Sequence, residues 1–161
     1  MRPLSPVEAA VIVAVGGSVL AVTLPEFVRN LHASRLVEPM DGLKWIAGRA
    51  SALAAGRPTE SAYPPTVELT PAKVPRGERV VDPPGTWDQP TWRALAFEQS
   101  VAHGFSFAFE SHNGPHAAAF RASAHGDLDG DGIVSTFEVS GQSLKGQAPV
   151  VFALEMHREV E

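Results

Sequence analysis

An α+β architecture, one long N-terminal helix packed on a small antiparallel sheet of three to four strands, is predicted by three features of this 161-residue chain. Apolar residues recur at three- and four-residue steps through the first third. A proline-dense stretch then ends any helix, and alternating apolar segments fill the remainder. The helix comes first. Ala9 to Leu24 holds no charge and is mostly Val, Ala, Ile and Leu, which with its flanks approaches the roughly 20 residues that span a bilayer core. Phe27, Val28, Leu31, Leu43, Ile46, Ala50 and Leu53 continue it at the helical period, so the predicted membrane segment runs out into an amphipathic one. Pro25, Pro39, Gly16, Gly17, Gly42 and Gly48 predict a helix that is curved or locally broken. Arg2 at the start places the N-terminus on the cytoplasmic side and the rest beyond the membrane.

From Arg57 to Arg93 lie eight of the fourteen prolines. Proline lacks an amide donor and fixes φ, which excludes a long helix or a central strand there. Tyr63, Val67, Leu69, Val80, Val81, Trp87 and Trp92 are too many large apolar groups for a solvated spacer. An ordered loop laid against the helix is expected. Asp88 to Phe97 reads as a short helix, with Asp88 as its cap and Pro90 in its first turn. Phe105-Ser-Phe-Ala-Phe109 alternates strictly and puts three phenylalanines on one face, aimed at Leu31, Leu43 and Ile46. Ala117–His125, Ile133–Val139 and Val150–Leu154 are the further strands.

Glu8 is the one carboxylate at the head of the apolar run, and Pro25 follows it by seventeen residues. An unpaired carboxylate in hydrocarbon is costly, so such a group has a partner supplied from outside the segment. This pattern resembles the N-terminus of type IV pilins and type II secretion pseudopilins, whose mature chains carry an apolar first residue, glutamate at the fifth position and a proline seventeen residues later. The resemblance puts the mature start at Leu4, the assembly glutamate at Glu8 and the proline at Pro25. It covers about the first 55 residues. Pro3 stands where the family has the glycine of its processing site, leaving residues 1–3 as a vestigial leader. The implied organisation is a transmembrane assembly helix over 4–25, its amphipathic half over 26–56, a Pro-rich loop with a short helix over 57–100, and a sheet domain over 101–161. The implied fold is a pilin-like ladle. The implied function is a structural filament subunit of a type IV pilus or type II secretion system, a minor pilin or pseudopilin among the choices. It would sit in the bacterial inner membrane with its C-terminal domain in the periplasm, and outside the cell once assembled. Its partners would be other copies or homologous subunits, the inner membrane and the assembly machinery.

Asp127-Leu-Asp129-Gly-Asp131-Gly132-Ile133-Val-Ser135-Thr-Phe-Glu138 matches a calcium-loop spacing: carboxylates at positions one, three and five, glycine at six and glutamate at twelve. It would offer Asp127, Asp129, Asp131, the Ile133 carbonyl, Ser135 through a water, and Glu138 to a Ca2+ ion. The flanks read as strands, not the helices of an EF-hand, and strand alternation would turn Glu138 to the face opposite Ser135. Two readings stand: a calcium site, or an Asp/Gly hairpin in which these residues serve the turn. An alternative function follows from the first, a membrane-anchored calcium- or ligand-binding module that does not polymerise. His112 and His116 have helical metal-pair spacing, but Asn113-Gly114-Pro115 forbids the helix. A net charge of −5 excludes a basic nucleic-acid-binding face, and no nucleophile motif, phosphate-cradling loop or paired catalytic acids mark an enzyme.

Overall fold

The computed structural model describes residues 36–157. The chain divides into two units, Met1–Val37 and Glu38–Glu161, and the architecture that follows belongs to the second. The predicted membrane segment, Leu4, Glu8, Pro25 and the helix positions Phe27, Val28 and Leu31 lie outside the described residues. Among the described residues no helix is long and apolar enough to cross a membrane.

Helix α1 covers residues 36–55 without interruption. Of the expected curvature or local break, no break occurs within it at Pro39, Gly42 or Gly48. Gly42 is instead a packing position: a Cβ there would stand 2.7 Å from Cε1 of Phe107, so the missing side chain lets the helix approach the sheet. The apolar stripe falls as the period requires. Leu43, Ile46, Ala47, Ala50 and Ala54 are buried, while Asp41, Lys44, Arg49 and Ala52 face solvent. Helix α1 yields to a turn at Gly56, and a short 3-10 turn, Thr59–Ser61, follows.

The sheet has six strands where three or four were expected: β1 (Val67–Thr70), β2 (Phe105–Asn113), β3 (Ala117–Gly126), β4 (Ser135–Leu144), β5 (Val150–Val151) and β6 (Glu155–His157). All pairings are antiparallel, in the order β1-β2-β3-β4-β5, with β6 also on β4. Both surplus strands have a physical reason. β1 arises inside the proline-dense stretch, between Pro65 and Pro71, and occupies the one place such a segment can pair, a sheet edge. The last expected strand, Val150–Leu154, forms only at its start, where β5 pairs with Gly141 and Gln142; pairing resumes beyond it as β6, on Thr136 to Glu138, with the register slipped by one residue.

Large and small side chains face each other across the inner surface. Phe105 lies opposite Gly126, Phe107 opposite Ala124, Phe109 opposite Ala122, and Phe120 opposite Gly141. A Cβ on Gly126 would stand 2.6 Å from the Phe105 ring, so these glycines make room for aromatic rings. Phe105, Phe107, Phe109 and Phe137 are fully buried, as are Leu43 and Ile46.

The proline-dense stretch is ordered and closes the core from the side. Helix α2 (Pro90–Leu95) carries Trp92, whose indole donates to Thr70 Oγ1 at 3.0 Å. Trp87, Trp92, Phe97 and Phe107 form one cluster with ring centroids 4.9 to 6.3 Å apart. The cap of α2 is Gln89, with no side-chain hydrogen bond, not Asp88. Asp88 stands one residue outside the cap, and its carboxylate lies 3.1 Å from the Arg93 guanidinium in an exposed pair.

Candidate functional site

The β3–β4 hairpin carries the acidic loop, so strands flank it on both sides. Carboxylate oxygens of Asp127, Asp129 and Asp131 come within 4.8 Å of one another. Their burial differs: Asp127 is 1% exposed, whereas Asp129 and Asp131 are open to solvent. Asp127 Oδ1 accepts the Gly130 amide at 2.9 Å and its Oδ2 accepts the Gly132 amide at 3.1 Å. The Arg76 guanidinium lies 3.6 Å from the same Oδ2, and the Asp127 carbonyl accepts the Gly77 amide at 2.8 Å. Asp127 thus ties the hairpin to the proline-dense stretch. Asp129 accepts the Asp131 amide at 3.2 Å, and Asp131 accepts the Ile133 amide at 2.6 Å. These are the Asx turns by which aspartate holds a tight loop, and Gly130 and Gly132 supply the positive φ the path needs (80° and 92°).

The rest of the proposed ligand set divides. Ser135 begins β4 on the buried face, opposite Gly126, with Phe137 and Val139 beside it. Glu138 points to the other face, where its carboxylate lies 4.0 Å from Arg121. The three aspartates therefore cluster without the twelfth-position glutamate, whose placement follows the strand alternation. Ile133 is exposed at the loop end.

Two histidine sites were not legible from spacing. His103 is fully buried just before β2. Its Nδ1 is 2.8 Å from the Phe105 carbonyl and its Nε2 is 2.9 Å from Asp82 Oδ2, which also accepts the Trp87 indole N–H at 2.8 Å. The carbonyl only accepts, so Nδ1 donates to it. The 21-residue separation hid the pair.

On the outer face His125 Nε2 is 3.0 Å from Ser123 Oγ, and Nδ1 is 3.1 Å from Thr136 Oγ1. Burial pushes the imidazole below its ordinary range, against an opposing pull from Glu138. A hydroxyl beside an imidazole is the start of a nucleophile–base pair. Here the second nitrogen meets another hydroxyl, and no carboxylate orients the ring. His112 is the last residue but one of β2 and His116 sits in the following turn, both exposed.

Comparison with protein-family models, curated proteins and solved structures finds no match to this chain.

Proposed function

We propose that this protein is a pilin-like structural subunit, held in the bacterial inner membrane by residues 4–25 and assembled into a type IV pilus or type II secretion filament through that segment, with Glu8 as its assembly carboxylate. The observation that carries the reading is the continuity of pattern. An uncharged apolar run headed by Glu8 and closed by Pro25 precedes, in the sequence, the helix of residues 36–55, which buries its apolar stripe against an antiparallel sheet. One long helix on a single sheet is the globular half of a ladle. The reading assigns no catalysis. Its test is localisation. The 161-residue chain belongs in the membrane fraction and in filaments sheared from the cell surface, and a chain lacking residues 1–25 in neither. Recovery of both chains in the soluble fraction alone contradicts it.

A second reading, a membrane-anchored calcium-binding module, is favoured by the convergence of Asp127, Asp129 and Asp131. Against it stands the position of Glu138, whose carboxylate is engaged near Arg121.

A further inference from the structure

The two edges of the sheet differ. β1 is bracketed by Pro64, Pro65 and Pro71, and proline is a device that keeps an edge from pairing with another chain. The opposite edge, β5 and β6, has no proline after Pro149, and its large apolar residues are open: Val150 48% exposed, Val151 40%, Phe152 48% and Met156 44%. An edge without proline and with open apolar residues is a template for strand addition.

The charges on β6 indicate the occupant. Glu155 lies directly opposite Glu138 on β4, and like charges opposite each other destabilise a sheet. Arg121 stands 4.0 Å from Glu138 on the β3 side. Among the described residues, Glu155 is within reach of His157, two residues along its own strand, with Nε2 3.7 Å from its carboxylate. The sequence Glu155-Met156-His157 is self-complementary: an antiparallel pairing about a two-fold axis at Met156 sets Glu155 against His157 of a second copy, and His157 against its Glu155. Each carboxylate then meets an imidazole across the strands, and the two Met156 side chains adjoin. We propose that β6 is a homodimerisation edge, pairing with β6 of a second copy of this chain about Met156. Such a contact is isologous and goes beyond filament assembly through Glu8.

The chain has no cysteine, so one introduced thiol reports the pairing. In the antiparallel pair, residues 156 of the two copies stand about 4.5–5.5 Å apart at Cα, inside the range a disulfide bridges. The two residues 150 lie on opposite sides of the axis, roughly 40 Å apart at about 3.3 Å per residue. Met156→Cys in the 161-residue chain, oxidised with diamide, should give a disulfide dimer on a non-reducing gel, while Val150→Cys and the exposed Val81→Cys stay monomeric. Adding Glu155→Lys to Met156→Cys should remove most of that dimer, and adding His157→Glu to the pair should restore it. The dimer should persist with Glu8→Leu, which separates this contact from the filament reading. Failure of Met156→Cys to cross-link, equal cross-linking at 150 or 81, no rescue by the charge swap, or loss of the dimer with Glu8→Leu would each overturn the proposal.

Discussion

Gly42 and Gly48 lie on the same helix, and the same substitution should act on them with opposite sign. At either position Gly→Ala removes glycine's helical penalty, a gain of about 1 kcal/mol. At Gly48 a new Cβ meets nothing within 4 Å, so the gain stands. At Gly42 the Cβ would lie 2.7 Å from Cε1 and Cζ of Phe107 and 3.6 Å from Phe97. The Phe107 ring cannot swing clear, because it is fully buried, with the Phe97 centroid at 4.9 Å and the Trp87 centroid at 6.3 Å. Overpacking of this kind costs about 1–3 kcal/mol. Propensity cancels in the comparison, so the difference between the two variants isolates the steric cost, centred near about 2 kcal/mol. At about 3–5 °C per kcal/mol for a unit of this size, Gly42→Ala should melt roughly 6–10 °C below Gly48→Ala, followed by the helical circular dichroism signal. Equal upward shifts in both variants would refute the seating of α1 on Phe107.

Asp82→Ala leaves the His103 ring and the Trp87 indole without their shared acceptor in a buried site, and should cost about 3–5 kcal/mol. Asp88→Ala, which removes only an exposed pair with Arg93, should cost under about 1 kcal/mol; urea midpoints distinguish the two. His125 has its imidazole lowered by burial, so as pH falls below about 6.5 the unfolded chain takes up that proton before the folded one, and stability declines through that window. His125→Gln should flatten this part of the profile between about pH 7.5 and 5, and an unchanged slope would contradict it. For the hairpin, the melting curve should be the same in millimolar calcium and in chelator. A rise of several degrees in calcium that Asp129→Ala erases would establish the calcium reading, since a site filled at about a hundred times Kd adds about 2.7 kcal/mol.

Much of the globular fold was legible because local pattern and tertiary role agree. The stripe Leu43, Ile46 and Ala50 has one period, and the phenylalanines of β2 have another. The residues that depart do so through long-range contacts. Gly42 reads as a helix weakener, yet its value lies in the Phe107 ring, far along the chain on β2. Asp88 reads as a cap, but it stands one residue outside it, with its carboxylate beside Arg93. β1 was hidden because prolines forbid a central strand and only the assembled sheet offers an edge. In the acidic loop the spacing of Asp127, Asp129 and Asp131 correctly brought three carboxylates together. Strand alternation, also legible, turned Glu138 aside. The His103–Asp82 pair is set by the path of the proline-dense stretch, where Val80 bridges to His103, and no local rule foretells that path.

The filament reading rests most heavily on Glu8. On that reading, the Glu8 carboxylate in its apolar segment meets a compensating partner from outside the segment. Wild-type chain and Glu8→Leu should enter the membrane equally, as scored in washed membrane fractions. In filaments sheared from the cells, the wild-type chain should be present and Glu8→Leu missing. Equal incorporation of the two chains would contradict the assignment of Glu8 as the assembly residue.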